Sequence, residues 1–321
     1  MGFPGFFVKE FDIDKVRKIL EKYGVAVIPY FKGSNADKYK NEIIDWLCSI
    51  SDGLTQDHKT WTKYNLPYGP RIGMMQSLIG HCPTVWKIRE KLYPLFRDLH
   101  QTDQLYTSMD GATVHPPTFD KRPIDWPHID QTDTPQWCIQ GQAVLTDTTA
   151  SFRCTPFSHL DLWHDFILNA HSMKGDKSNW LKFSDDYIEI LKEKFDHWQM
   201  PIHVPKGSVI LWNSKTIHSA KHNDINDYTW RCVVYVCMRP QYQFSKVNRN
   251  TLAKCINEAR TTNHWGTRTF PKRPAHRFEP ERSESIEKYT KNPELLKLKK
   301  PSDLIKKITG TKTYKIVEFD V

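Results

Sequence analysis

Apolar positions recur at helical spacing in three early segments. Across 12–23, Ile13, Val16, Ile19 and Leu20 share one face, and Gly24 follows where a helix C-cap belongs. Val25-Ala26-Val27-Ile28-Pro29 is then a short apolar strand. A second helix is predicted over 36–50 (Tyr39, Ile43, Trp46, Leu47) and a third over 83–99 (Val85, Ile88, Leu92, Leu95). From about 104 the pattern changes to short apolar runs separated by Pro, Gly, Asp and Thr, which predicts strands at 104–108, 136–145, 201–204, 208–212 and 231–238. A helical insertion at 159–199 interrupts them. Few helices alternate with these strands, so a parallel doubly wound sheet is disfavoured. The expected fold is α+β with a mainly β core, an antiparallel barrel or jelly roll flanked by N-terminal helices. One domain is expected over 1–240, with a helical part at 10–100 and the jelly-roll core at 104–240. Residues 241–321 form a basic, proline-punctuated extension whose apolar residues, Trp265, Phe270, Leu295, Leu296, Leu304, Ile305 and Ile308, predict packing against the core.

Composition removes several classes. The 321 residues include 11 Trp, 16 Phe and 13 Tyr, more apolar area than a disordered chain carries. No run of 18 uncharged apolar residues occurs, and Met1-Gly2-Phe3-Pro4-Gly5 lacks a basic-then-apolar leader, so a soluble cytoplasmic protein is expected, with no membrane span. Seven dispersed cysteines without a C-x-x-C pair point to free thiols in a reducing compartment, not to structural zinc or a disulfide framework. The net charge of +9 is local: basic and acidic residues number 28 and 28 over 1–240, against 18 and 9 over 241–321. A nucleic-acid partner, if there were one, would meet Arg268, Lys272, Arg273, Arg277, Lys297, Lys299, Lys300, Lys306 and Lys307; a solvated face is the commoner role of such a run.

The candidate chemistry begins with His-x-Asp, which occurs three times and is therefore decided by context. His222-Asn223-Asp224 lies in a polar loop sequence. His159-Leu160-Asp161 opens a helix that Ser158 or Asp161 would cap, where positions i and i+2 diverge. His128-Ile129-Asp130 follows Trp126-Pro127, which favours extended backbone, and in a strand i and i+2 face the same way. A third ligand is offered by His218, just beyond the apolar run 208–212. Arg231 then opens a buried strand, a costly placement unless it meets an anion. Two His and one carboxylate suit the facial triad of non-haem iron(II), although such ligands accept several metals. The Arg suits the far carboxylate of 2-oxoglutarate. Trp126, Trp137 and Trp212 flank the motifs, as pocket walls or as ordinary core.

With these residues in place the chain resembles the phytanoyl-CoA dioxygenase-like branch of the iron(II)/2-oxoglutarate oxygenases. The resemblance is carried by Lys22 through Pro29, His128-Ile129-Asp130, Cys138 through Leu145, the Pro156-Phe157-Ser158-His159 turn, and Gly207 through His218 with Arg231. It implies a double-stranded β-helix, iron ligation by His128, Asp130 and His218, 2-oxoglutarate held by Arg231, and further co-substrate contacts from Gln140 and Gln142. It also implies a dioxygen-consuming hydroxylation, or a related oxidation, of an unactivated C–H bond in a small organic substrate, with release of succinate and CO2. Phe157 stands where the family's turn usually has Gly. Asp130 is intact, which disfavours the halogenases that lack this carboxylate. The rival expectations are a catalytically inactive jelly-roll binding module and a nucleic-acid-binding protein.

Overall fold

The computed structural model describes residues 4–62, 64–66, 74–117, 126–132, 138–168, 173–174, 181–220, 230–263 and 283–314. Helix α1 (Ile13–Tyr23) starts where the Asp12 carboxylate accepts from the backbone N–H groups of Asp14 and Lys15, and ends at Gly24, whose φ of 74° is left-handed. Strand β1 (Val25–Pro29) follows at once. Helix α2 (Gly33–Ile50) begins three residues earlier than the pattern predicts, and α3 (Pro83–His100) begins with Pro at its first position, where no backbone donor is needed.

The remaining strands are β2 (Met74–Met75), β3 (Leu105–Thr107), β4 (Ala112–His115), β5 (His128–Ile129), β6 (Ile139–Val144), β7 (Thr148–Cys154), β8 (Met173–Lys174), β9 (Leu181–Lys182), β10 (Met200–Val204), β11 (Ser208–Asn213), β12 (His218–Ala220) and β13 (Arg231–Pro240). They form two antiparallel sheets. The larger runs β1-β11-β6-β13-β4-β2, with β3 also on β13; the smaller runs β10-β7-β12-β5-β9-β8. The expected α+β chain with a mainly β core and N-terminal helices is what is found, built on two sheets that do not close. The insertion at 159–199 is only partly helical: α4 (Asp161–Leu168) and α5 (Asp185–Lys194) are accompanied by β8 and β9, which extend the edge of the smaller sheet.

The two faces of the larger sheet have different fates, set by strand alternation. Gly141 points to the helical side, where a Cβ would sit 3.4 Å from the Phe96 ring of α3. Its neighbours Gln140 and Gln142 therefore face the smaller sheet. The sheets meet there: the Phe152 ring of β7 lies 5.0 Å from Trp212 of β11. On the helical side, α1, α2, α3 and the strands enclose one apolar core that includes Val16, Ile43, Ile88, Leu92, Val234 and Val236.

Downstream of β13, helices α6 (Lys246–Asn257), α7 (Glu284–Lys291) and α8 (Asp303–Ile308) complete the described chain. Ile286 and Ile308 belong to the main core, while Leu252, Cys255, Ile256 and Ile305 bury a second cluster with Trp86, Tyr106 and Met109. Among the described residues no helix is long and apolar enough to cross a membrane, and no cysteine is paired in a disulfide.

Candidate metal centre

The centre is built where the smaller sheet pairs two short inner strands, β5 and β12. His128 of β5 is the register partner of His218 of β12, which brings their rings to a centroid separation of 4.3 Å. Asp130 follows β5 and is held by a hydrogen bond from its backbone N–H to the carbonyl of Ser214, 3.0 Å. Its two oxygens reach different rings: Oδ1 is 3.4 Å from His128 Nε2 and Oδ2 is 3.3 Å from His218 Nε2. All three side chains are buried, with ligand atoms within 4.8 Å of one another. They are the one group of three or more His, Cys, Asp or Glu with metal-site spacing among the described residues.

The rings are fixed in the same way. His128 Nδ1 lies 2.9 Å from the Trp126 carbonyl and His218 Nδ1 lies 2.9 Å from the Thr216 carbonyl, each two residues back. A carbonyl only accepts, so both Nδ1 atoms carry the proton, and the two Nε2 atoms, aimed at Asp130, are the nitrogens free to take a metal. Burial, reinforced by the neighbouring His218, pushes the His128 pKa down against the pull of Asp130 and keeps the imidazole in its neutral, ligating form. Trp126 stacks on His128 at 4.0 Å and 7°, and Trp212 lies 5.5 Å from His218. Two imidazole nitrogens and one carboxylate, convergent and oriented, fit a divalent transition metal.

The scaffold reaches back to the N-terminal helix. Thr216 Oγ1 donates to the Gly24 carbonyl at 2.9 Å, and the Ile217 N–H donates to Ser158 Oγ at 2.8 Å. Ser158 Oγ donates in turn to the Thr155 carbonyl, so it braces the turn before His218 and is not the expected helix cap. Asp161 sits inside the first turn of α4 and pairs with Lys215 at 2.8 Å. His159 Nε2 donates to the Glu21 carbonyl at 2.9 Å and is not part of the ligand group. His222 and Trp137 lie outside the described residues. Phe157 adopts φ 68°, which explains why a Gly suits this turn.

Opposite the triad stands the inner face of the larger sheet. Gln140 Nε2 donates to Asp130 Oδ2 at 3.0 Å, so this side chain serves the carboxylate directly; its Oε1 and the Nε2 of Gln142 are buried without a hydrogen-bond partner. Strand alternation puts Arg231, Val233, Tyr235 and Cys237 on the same face, because Tyr235 pairs with Gln142 and Cys237 with Gln140. Arg231 is 8% exposed, its Nε lacks a hydrogen-bond partner, and no described carboxylate forms an ion pair with it. Beside it, Thr113 Oγ1 and the Tyr235 hydroxyl hydrogen-bond at 2.9 Å. Neither residue is distinguishable in the sequence, since only the register of β4 on β13 brings them together.

No protein-family model and no curated protein sequence matches the chain. Solved structures do. A hypothetical protein from Escherichia coli aligns over 94% of this chain and 82% of its own, at TM-score 0.59 and 13% identity. An oxidoreductase candidate from Salmonella typhimurium LT2 aligns over 92% and 82%, at TM-score 0.55 and 12% identity. The chain shares their fold. HygX from Streptomyces hygroscopicus, with nickel and 2-oxoglutarate bound, aligns over 70% of this chain and 86% of its own at TM-score 0.46 and 14% identity. Of EvdMO1 the matched region spans about half, 49%, at TM-score 0.47.

Proposed function

We propose that the chain is an iron(II)- and 2-oxoglutarate-dependent oxygenase of the phytanoyl-CoA dioxygenase-like branch, built on a double-stranded β-helix. The observation that carries this reading is the buried His128, Asp130 and His218 triad facing a sheet that presents a buried Arg231 with no ion pair among the described residues. His128 and His218 hold the metal through Nε2 and Asp130 through a carboxylate oxygen. Three ligands leave room in the coordination sphere for a bidentate co-substrate and dioxygen. Bound iron, with dioxygen as oxidant and 2-oxoglutarate as co-reductant, would supply the oxidation of an unactivated C–H bond, with release of succinate and CO2.

The protein's own part is placement. Arg231 binds the far carboxylate of 2-oxoglutarate with its guanidinium fork, which relieves an otherwise costly buried cation. Gln142 Nε2, buried on the same face, donates to a co-substrate oxygen, and the Tyr235 and Thr113 hydroxyls line its bed. Gln140 orients Asp130. Trp126 and Trp212 shield the ligand rings and keep bulk water off the centre. The substrate is a small organic molecule, and the free cysteines suit a cytoplasmic setting.

Two measurements test this. With iron(II), ascorbate and dioxygen, the chain converts 2-oxoglutarate to succinate, and His128→Ala abolishes the conversion. By calorimetry on the manganese-loaded protein, Arg231→Leu weakens 2-oxoglutarate binding about ten- to a hundredfold, the range expected for losing a charge-assisted pair. Manganese binding without 2-oxoglutarate binding would favour the inactive binding module instead.

A further inference from the structure

We infer that the lysine-rich face formed by residues 295–307 docks the protein on an anionic lipid surface. The segment is not a loose tail. Leu296 and Leu304 pack on the main core, Leu298 packs on the second cluster, and Ile305 and Ile308 are buried. Between these anchors Lys297, Lys299, Lys300 and Lys306 are exposed and Lys307 is half-buried. The leucines hold the backbone down while the alternating lysines are displayed to solvent.

The charge on this face is only partly offset. Asp303 is the one acidic residue within 295–307, and its carboxylate is taken by Lys312 at 2.6 Å. None of the five lysines has a carboxylate within ion-pair distance among the described residues, whereas Lys291 nearby is paired with Glu287. Leu295 adds an apolar side chain, 55% exposed, at the edge of the cluster.

Lipid is favoured over nucleic acid by composition and shape. The described stretch 283–314 contains eight lysines and no arginine, so the bidentate forks that grip phosphodiesters and base edges are missing from it. Its two aromatic residues, Tyr289 and Tyr314, are partly buried against the clusters and offer no stacking platform. Clustered lysines beside an exposed leucine are what an anionic bilayer attracts, by field and by shallow apolar insertion.

The test is co-sedimentation of the full chain with vesicles of phosphatidylcholine alone or with about 30% phosphatidylserine, at 50 and 300 mM salt. The expected result is binding to the anionic vesicles only, weakened at the higher salt. The combined variant K297E/K299E/K300E/K306E should lose binding by more than about a hundredfold, since each lysine near such a surface contributes about fivefold, while its melting temperature and manganese affinity stay those of the parent. Leu295→Ser should weaken binding more modestly. Failure of the parent to sediment with anionic vesicles at 50 mM salt overturns the inference, as does undiminished binding by the quadruple variant. Release of the protein from vesicles by an equimolar amount of duplex DNA also overturns it, because the face would then prefer nucleic acid.

Discussion

At the scale of single residues, the centre depends on side chains whose role is to hold another in place. Gln140 is the clearest. Its amide donates to Asp130 Oδ2, the same oxygen that lies nearest His218, so it biases which carboxylate oxygen is left for the metal. Gln140→Leu keeps the volume and removes the donor. Hydrogen-bonding partners behind metal ligands are commonly worth about ten- to a hundredfold in affinity, and a loss of that size is expected for manganese(II), read by titration. Gln140→Glu should be worse, because a second carboxylate would face Asp130. A Gln140→Leu protein that binds manganese as tightly as the parent would show that the Gln140 amide does not position Asp130. The family resemblance implied one role for Gln140 and Gln142, as co-substrate contacts. Their divergence, one to Asp130 and one without a partner, arises across the gap between sheets, and no local pattern encodes it.

Among elements, the joint between α1, β1 and the turn before β12 matters most. Gly24 caps α1 at φ 74°, its carbonyl accepts from Thr216, and a Cβ there would lie 2.4 Å from Thr216 Oγ1 and 2.6 Å from His159 Nδ1. Gly24→Ala is therefore strained twice, by its backbone and by its neighbours, and should cost more than about 1 kcal/mol of stability. Because the Thr216 carbonyl also orients His218, the same variant should bind manganese more weakly; differential scanning fluorimetry and titration read the two effects. The α1–Gly24–β1 unit was legible because each part has its own signal: a helical stripe, a glycine, an apolar run. The triad was legible for a related reason, since Pro127 makes the backbone extended and extended backbone aligns positions 128 and 130. What escaped were β2, β4 and β12, with two to four residues, too short for alternation to register, and β7, whose Thr148–Cys154 stretch mixes polar and apolar residues. The short strands β8 and β9 were hidden in a stretch whose surroundings read as helix.

The whole molecule adds properties that no one element has. His81 and His100 are each pushed down to about 4, first by burial, and each uses Nε2 on a carbonyl, of Arg260 and Met238 respectively. The unfolded chain takes up protons near 6.5, the ordinary value, and the folded one does not until about 4. Stability is thus full above pH 6.5 and falls as pH drops toward 4, by about 1.4 kcal/mol per unit for each ring. Urea midpoints across that window should follow this fall, and His100→Gln should flatten it by about one proton's worth. An unchanged slope in that variant would remove His100 from the account. His81 is held by a carbonyl beyond β13, which leads to the largest question of scale: whether residues 1–240 stand alone. Charge made them look independent, since all the excess lies after 240. Packing says otherwise. Ile286 and Ile308 lie in the main core, Thr262 Oγ1 accepts from the Met109 N–H at 2.8 Å, and the Tyr314 hydroxyl donates to the Leu105 carbonyl at 2.7 Å. A chain ended at 240 would expose Trp86, Tyr106 and Met109, now buried under α6 and α8, and leave buried backbone groups unpaired, at a cost comparable to the whole stability of a domain. Such a protein should show no cooperative thermal transition by near-ultraviolet circular dichroism and should bind a hydrophobic dye. A soluble truncated chain with native melting and parental manganese affinity would establish instead that the metal centre folds without the extension.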